Sequence, residues 1–309
     1  MNEPDDSGPV VLYVGGTGRS GSTLLAAVLG GLPDAVDVGE VRYLWQRGLL
    51  DGRLCGCGVP VPDCPFWTAV LERAYADRPP DPAAVHAALT RATRLRRLPA
   101  WMWRRPDPGV LVDVLPPLYA AIAATAGARV VVDSSKLPTY AALLACVLPT
   151  PPRMVHLVRD PRAAAYSWRA AKPTRDGSDT PLMERRGVVR SAALWLVWNR
   201  ALAALWRDRA DSAQVRYEEL ALDPRPVVAR AAALAGLGGV EHLIGADGSF
   251  ERRTAHTVAG NPERLSTGRV RIVADERWRR GLEWGPRLAV TGITLPVLRR
   301  FGYPLRAPR

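Results

Sequence analysis

Lysine is almost missing from this chain: of its 42 basic residues only Lys136 and Lys172 are lysine, and all the others are arginine. The arginines are spread along the whole sequence, so the net charge of +12 indicates either a coding bias toward arginine or a preference for anionic ligands. No basic stripe interleaved with aromatic residues is present, and this argues against nucleic-acid binding. We therefore expect no nucleic-acid partner.

Long apolar runs are lacking too. No stretch of about 18 uncharged apolar residues occurs, and the nearest candidate, 191–206, is interrupted by Asn199 and Arg200. The first six residues are acidic and polar, unlike the basic and then apolar start of an export signal. The sequence therefore predicts no transmembrane segment and a cytoplasmic location.

Cysteine is scarce: Cys55, Cys57 and Cys64 form one cluster, and Cys146 stands alone. The cluster lacks the four-ligand spacing of a structural zinc site, and no histidine lies near it in the sequence. Buried thiols or a rigid loop are therefore favoured over a metal site, and a cytoplasm would keep such thiols reduced. We expect no bound metal.

The alternation of strand and helix patterns predicts an α/β fold with a P-loop-NTPase-like parallel sheet flanked by helices. The length of 309 residues fits a single domain, 1–309. Segment 51–108, rich in proline, glycine and arginine, is interpreted as an inserted helical or loop lid. The predicted strands are 10–14, 34–38, 129–132, 153–158 and 214–217. The predicted helices are 22–32, 40–50, 82–97, 109–126, 136–148, 162 onward, 184–209, 223–237 and two short ones at the C-terminus, with 250–277 an ordered loop.

A glycine-rich turn joins the first predicted strand to the first predicted helix. This arrangement presents backbone N–H groups and a helix dipole to a phosphate. Its spacing is that of a Walker A loop, but Ser22 takes the place of the lysine, which argues against a P-loop kinase. The same glycines fit a dinucleotide-binding fingerprint with Glu40 as the ribose-binding acid, so an NAD(P)-binding Rossmann oxidoreductase is an alternative. The turn consists of Gly16, Thr17, Gly18, Arg19, Ser20, Gly21, Ser22 and Thr23.

Three other predicted strands end in polar residues, and ligands of open α/β sheets bind at that edge. Lys136 supplies a compact ammonium, which suits a place beside a transferring group better than the broad guanidinium of arginine. Arg159 and, two helical turns later, Ser167 can bind one phosphate together. Glu40 can take a proton from a hydroxyl group. Each residue also has a simpler interpretation. Lys136 would be a surface lysine after a helix cap, Arg159 would form a structural pair with an aspartate, and Glu40 would be an acid at a helix start.

This combination resembles the sulfotransferases that use 3′-phosphoadenosine 5′-phosphosulfate (PAPS). Residues 19–25, Arg-Ser-Gly-Ser-Thr-Leu-Leu, are similar to the family's 5′-phosphosulfate loop, and Arg159-Asp160-Pro161 with Ser167 is similar to its 3′-phosphate motif. Tyr217-Glu218-Glu219-Leu220 with Asp223-Pro224 is similar to a later region. The branch with an arginine in the loop, which includes carbohydrate and tyrosylprotein sulfotransferases, is the most similar. The tyrosylprotein enzymes have a Gly-Glu-x-x-Arg segment, and residues 39–42, Gly-Glu-Val-Arg, are similar to it but one residue shorter. An insertion seen in bacterial members resembles residues 55–58 and 64–67.

The resemblance implies transfer of a sulfuryl group from PAPS, without a metal, to a hydroxyl or less readily an amine of a small-molecule, carbohydrate or lipid acceptor. It implies that Glu40 is the base, with His156 or His256 as alternatives, and that Lys136 and Arg19 stabilise the leaving oxygen. Segment 250–309 is expected to cover the nucleotide through Arg264, or else Arg269 or Arg271. A catalytically silent nucleotide-binding homologue is a further alternative. The nucleotide-binding residues implied are Gly18, Arg19, Ser20, Gly21, Ser22, Thr23, Arg159, Ser167 and Arg264.

Aromatic residues also surround the predicted lid. They either line an apolar acceptor cleft or pack in the core. They are Tyr43, Trp45, Phe66, Trp67, Trp101 and Trp103.

Overall fold

A parallel sheet rich in β-branched residues forms the centre of the molecule. The computed structural model describes residues 8–76, 78–104, 106–177, 182–207 and 209–305; the first six residues, from which the absence of an export signal is predicted, lie outside them. In this part of the chain the sheet has five strands in the order β2-β3-β1-β4-β5, all parallel. The strands are β1 Val10–Gly16, β2 Ala35–Asp37, β3 Val130–Lys136, β4 Arg153–Val158 and β5 Ser212–Arg216.

The predicted α/β fold with a parallel sheet is thus confirmed, and the bounds of β4 agree with the prediction. The strand order also bears on the Rossmann alternative, because the common dinucleotide-binding order places strand 2 beside strand 1. Here β3 and β4 flank β1, which is a different topology.

Side chains of β1 alternate between two hydrophobic layers, as the period of two in a strand requires. Val11 and Tyr13 pack into the layer on one face, and Leu12 and Val14 pack into the layer on the other. A strand covered on both faces is apolar throughout, and this explains why the sequence pattern of β1 is a continuous apolar run.

Helices cover both faces of the sheet. The helix predicted over 40–50 is instead a 3-10 turn, Val41–Tyr43, followed by a π-helical stretch, Leu44–Leu50. The α-helices are α1 Ser22–Leu29, α2 Pro65–Tyr75, α3 Pro82–Ala92, α4 Leu98–Trp103, α5 Leu111–Ala126, α6 Pro138–Val147, α7 Pro161–Arg169, α8 Val188–Leu205, α9 Tyr217–Leu222, α10 Pro224–Ala233, α11 Val240–Leu243, α12 Trp278–Gly281 and α13 Trp284–Leu298.

The insertion 51–108 contributes to the core. Trp67 of α2, Val85 and Leu89 of α3 and Trp101 of α4 are buried in the layer that includes α5. Of the six aromatic residues near the predicted lid, Trp45 is also buried there, whereas Trp103 is exposed. The helices of the segment therefore pack on α5 and α6, and its role as a lid stays a prediction.

The segment predicted as a loop over 250–277 contains an antiparallel hairpin, β6 Ser249–Arg252 with β7 Gly268–Arg271. Each strand has only four residues and is rich in arginine, so no apolar alternation marks it in the sequence. The final helix α13 has 15 residues and is longer than predicted.

Among the described helices, α8 is long and apolar enough to cross a membrane by length and composition alone. Its polar and aromatic groups, however, bond to the sheet: Asn199 Oδ1 lies 2.9 Å from His156 Nε2, and Trp195 Nε1 donates to Arg159 O at 2.9 Å. These contacts are those of a helix packed against a protein core.

Candidate active site

The glycine-rich turn between β1 and α1 has a backbone that only glycine adopts readily. Gly21 has a φ of +92°, and a Cβ there would lie 2.6 Å from the Tyr217 ring. A Cβ on Gly18 would lie 2.4 Å from the Trp168 ring. The two aromatic rings hold the turn closely from outside, while the first N–H groups of α1 have no intrahelical acceptor and can bind an anion.

Glu40 and Lys136 form an ion pair beside this turn. Lys136 Nζ lies 2.5 Å from Glu40 Oε1 and donates to Ser134 O at 3.0 Å. Both side chains are nearly buried, with 12% and 9% of their surface exposed. Two of the three ammonium donors thus have partners among the described residues, which leaves one donor for a ligand.

A network of hydrogen bonds behind the pair fixes the strand ends that carry it. The buried Asp133 carboxylate accepts from Tyr119 Oη and from the backbone N–H and hydroxyl of Ser135. The Ser135 hydroxyl in turn accepts from the Arg42 backbone N–H at 3.1 Å. Burial is the main cause that raises the pKa of Asp133 to about 6. Asp133 therefore holds Ser135 in place, and Ser135 is the neighbour of Lys136 in the chain and bonds to the segment after Glu40.

A second carboxylate supports Glu40 from β2. Asp37 Oδ1 accepts the Gly39 N–H at 2.9 Å, and burial raises the pKa of Asp37 to about 7. The Glu40 N–H donates to Val258 O at 2.7 Å, which ties this segment to the C-terminal part of the chain. The position of the Glu40 side chain is thus set from both sides.

The side chain of Arg159 reaches the glycine-rich turn directly. It donates to Arg19 O at 3.1 Å, lies over the Tyr217 ring at 4.3 Å and pairs with Asp275 at 3.5 Å. Its Nε is buried without a hydrogen-bond partner among the described residues. A buried unpaired donor costs free energy, so a bound anion would stabilise this arrangement.

Arg19 has a φ of +69° and directs its guanidinium toward the ring of Trp168, at 4.9 Å from the centroid. Burial lowers the pKa of Arg19, and the nearby charge of Arg186 lowers it further. Arg186 also lies over the Trp168 ring, at 4.0 Å. Two cations thus lie against one aromatic ring, where an anion would offset their repulsion.

The turn residue Arg19 lines a single cleft of about 790 Å³ at the carboxyl ends of the strands, together with Glu40, Lys136, Arg159 and Trp168. In the described part of the chain its lining includes ten basic and five acidic residues, so the cleft is net positive and suits an anionic ligand. The predicted site residues that line it are Gly18, Arg19, Gly21, Ser22, Thr23, Glu40, Lys136, Arg159 and Ser167.

Arg264 and Ser20 are not among the described residues that line this cleft. Arg264 donates to Thr257 O and Leu54 O and borders a separate pocket of about 450 Å³, so its contact with the nucleotide stays a prediction that this placement does not support. Of its two alternatives, Arg271 lines the cleft, whereas Arg269 pairs with Asp247. Ser20 is fully buried, and its hydroxyl has no hydrogen-bond partner among the described residues.

Neither alternative base, His156 nor His256, occurs among the described residues of the cleft. His156 is buried against Asn199, and burial lowers its pKa to about 4. His256 stacks on Phe66 instead. Glu40 is therefore the best placed of the predicted proton acceptors.

Sequence reasoning missed several residues of the cleft because they lie on segments without a motif. Arg186 and Met183 come from the segment before α8, and Trp168 comes from α7. Tyr217 was noted in a motif, but its contact with Gly21 depends on the fold. Further basic residues of the lining that were not predicted are Arg47, Arg53, Lys172, Arg252 and Arg277.

Fold and cleft together define a P-loop-like α/β protein with a net positive cleft at the carboxyl ends of its strands. The model of the sulfotransferase family matches residues 9–241, most of the chain, and the chain therefore belongs to the sulfotransferase family. No curated protein matches the sequence.

Two solved structures share the fold. The sulfotransferase domain from the Synechococcus PCC 7002 olefin synthase is 22% identical, with 99% of each chain covered and a TM-score of 0.52. The sulfotransferase domain from the curacin biosynthetic pathway is 17% identical, with 97% of this chain and 99% of that chain covered and a TM-score of 0.53. At these identities the likeness concerns the fold.

Proposed function

We propose that the protein transfers a sulfuryl group from PAPS to a hydroxyl, or less readily an amine, of a small-molecule, carbohydrate or lipid acceptor in the cytoplasm. The observation that carries the proposal is the Glu40–Lys136 pair in the same cleft as a lysine-free phosphate loop and Arg159. Such a cleft offers a proton acceptor and cations on either side of a reacting group.

Features of the cleft fit a nucleotide with phosphate at two positions. The glycine-rich turn and the N-terminus of α1 suit the 5′ end, since they provide N–H donors and a positive dipole. Arg159, with its buried unpaired Nε, and Ser167 suit the 3′-phosphate. Arg271 on β7 replaces Arg264 as the candidate from the C-terminal segment.

In the proposed reaction the acceptor oxygen forms a bond to sulfur while the bond from sulfur to the 5′-phosphate oxygen breaks. Glu40 takes the proton of the acceptor hydroxyl. Lys136 and Arg19 stabilise the negative charge that develops on the leaving phosphate oxygen. The products are the sulfated acceptor and adenosine 3′,5′-bisphosphate, and the proton passes from Glu40 to solvent.

The lining of the cleft defines the chemistry of the acceptor less closely than it defines the chemistry of the nucleotide. Tyr43, Leu182 and Met183 give it an apolar surface next to Arg47 and Glu184. This mixture suits an acceptor with an apolar body and a polar hydroxyl. Adenosine 3′,5′-bisphosphate and a panel of phenol, sugar and lipid alcohols are therefore the ligands to test first.

Isothermal titration with adenosine 3′,5′-bisphosphate tests the donor. We expect Arg159→Ala to weaken binding by about 10- to 100-fold, since a hydrogen bond to a charged group contributes about 1.5–3 kcal/mol. Arg209→Ala, which removes an arginine of an ion pair away from the cleft, is the matched control and should bind as wild type does. Equal binding by both variants would contradict the 3′-phosphate role.

Three further results distinguish the alternatives. Tight binding of NADP but not of the bisphosphate would support the oxidoreductase. Bisphosphate binding without turnover on any acceptor of the panel would support a silent homologue. Sulfated product formed only when PAPS is present would support the proposal.

A further inference from the structure

Four side chains of the types that bind metals meet at one point outside the active-site cleft. They are Cys55, Cys57, Cys64 and His256, whose ligand atoms all lie within 4.8 Å of one another. Sequence spacing offered only the three cysteines. The fold adds a histidine that follows Cys64 by 192 residues.

Four of the six distances between these atoms are close to those around a tetrahedral ion, and all six are within 4.8 Å. Cys64 Sγ lies 3.7 Å from both Cys55 Sγ and Cys57 Sγ. His256 Nδ1 lies 3.3 Å from Cys64 Sγ and 3.8 Å from Cys55 Sγ. Zinc bonds of about 2.3 Å to sulfur and 2.0–2.1 Å to nitrogen separate two sulfurs by about 3.8 Å and a sulfur from a nitrogen by about 3.5 Å.

The backbone holds Cys55 and Cys57 on a tight turn. Gly58 N–H donates to Cys55 O at 2.9 Å, and Gly58 has a φ of +88°. A Cβ on Gly56 would lie 2.3 Å from Ala255 O, so only glycine lets this turn approach the segment that carries His256. The turn therefore places two thiols beside the histidine.

The start of α2 fixes the other two ligands. Cys64 directly precedes Pro65, the first residue of α2. Phe66 stacks on the His256 ring at 4.6 Å between centroids, and Trp67 Nε1 donates to His256 O at 3.0 Å. The imidazole orientation is thus set by contacts that do not use Nδ1.

We propose that Cys55, Cys57, Cys64 and His256 bind a structural zinc ion. Three thiolates and one imidazole are soft and borderline ligands, and in tetrahedral geometry they favour zinc over magnesium or calcium. With all four positions filled by protein, the ion has no place for a substrate, which distinguishes it from a catalytic zinc.

The site would join the insertion to the segment that supports Glu40. Val258, two residues after His256, accepts the Glu40 N–H and lies next to Gly39. Arg264 bonds to both Thr257 O and Leu54 O and so spans the same junction. The zinc proposal does not rest on the proposed reaction, because the four ligands lie outside the described lining of the cleft.

Metal analysis of protein purified without a histidine tag or chelator tests the proposal. We expect about one zinc per chain, by the four-ligand stoichiometry of structural sites, in wild type and in Cys146→Ser. Cys146 is an exposed thiol away from the cluster and serves as the matched control. Cys57→Ser and His256→Ala should lose most of the zinc.

Cobalt substitution keeps the test decisive if those variants fail to fold. Wild type loaded with Co²⁺ should show the visible absorption bands of a tetrahedral ion and a thiolate charge-transfer band. His256→Cys should retain the metal and shift the bands toward those of a four-thiolate site. Wild-type protein that stays metal-free after titration with Zn²⁺, or that carries a disulfide within the cluster, would overturn the proposal.

Discussion

At the residue scale, the ion pair of Glu40 with Lys136 explains why one of the two lysines in an arginine-rich chain stands at this position. The ammonium fits between Glu40 Oε1 and Ser134 O with a backbone φ of +70° at Lys136. A guanidinium is broader and planar, and it would not fit one nitrogen atom between these two oxygens. The choice of lysine is therefore a consequence of space as well as charge.

Replacing Glu40 by glutamine tests its role as the base. The amide keeps an oxygen that can accept from Lys136 but cannot take a proton from an acceptor hydroxyl. With an acceptor that supports wild-type turnover, we expect kcat to fall by about 10²- to 10⁴-fold, with little change in affinity for adenosine 3′,5′-bisphosphate.

Glu184→Gln is the matched control, because Glu184 also lines the cleft but its side chain is 52% exposed. Its kcat should stay close to that of wild type. Equal turnover by Glu40→Gln and wild type would assign the proton transfer to another group.

At the element scale, the junction of β2 with the Val258 segment sets the position of Glu40, and Gly39 makes it possible. Gly39 has a φ of +71°, and a Cβ there would lie 2.6 Å from Val258 O. Gly39→Ala should lower both the free energy of unfolding and kcat, since the strand end and the segment must separate.

Gly52→Ala separates the effect of a positive φ from the effect of a close contact. Gly52 also has a positive φ, +58°, but no atom lies within 4 Å of a Cβ there. Gly52→Ala should lower the free energy of unfolding by only about 1–2 kcal/mol, which is the cost of a left-handed backbone at a residue with a Cβ. Gly39→Ala should lower it by more. Denaturant unfolding measures both, and equal losses would contradict the importance of the close contact.

Asp37, at the end of β2, makes stability depend on pH. Its folded-state pKa of about 7 lies above its ordinary value, so the folded state holds a proton that the unfolded state releases. This group stabilises the fold fully below about pH 4, and the contribution is lost as the pH rises through about 7.

Asp37→Asn should therefore reduce the fall in unfolding free energy between pH 5 and pH 8 by about 2–3 kcal/mol. The amide oxygen can still accept the Gly39 N–H. Asp113→Asn, at an exposed position, controls for the loss of one carboxylate. Urea unfolding at the two pH values gives the comparison, and parallel pH profiles for wild type and Asp37→Asn would refute the expectation.

The elements that could be predicted from sequence are those whose patterns are local. The apolar runs of β1 and β4 and the glycine-rich turn stand out because each needs only its neighbours in the chain. The hairpin of β6 and β7 could not be seen, because its strands have only four residues each and lack an alternation of apolar and polar residues. His256 could not be joined to the cysteines, since that contact spans 192 residues.

At the scale of the whole molecule, the fold concentrates part of the net charge of +12 in one cleft. Basic residues from the first turn, β3, the position after β4 and the C-terminal hairpin meet there, although they are far apart in sequence. The arginine-rich composition alone did not distinguish a coding bias from a preference for anions. The ten basic residues around one cleft favour the second interpretation for this region of the described chain.

This concentration of charge predicts that nucleotide binding depends on salt. Raising the ionic strength from 0.1 M to 1 M shortens the screening length from about 10 Å to about 3 Å. Charges lining the cleft mouth would then act weakly on an approaching bisphosphate, while buried contacts such as those of Arg159 would persist. We expect affinity for adenosine 3′,5′-bisphosphate to fall by about tenfold or more, through a slower association rate.

Adenosine, which lacks the phosphates, should bind weakly and equally at both salt concentrations. Stopped-flow fluorescence of the tryptophans near the cleft would measure the rates. An association rate independent of salt would mean that the charge of the molecule reflects its arginine-rich composition and does not attract the ligand.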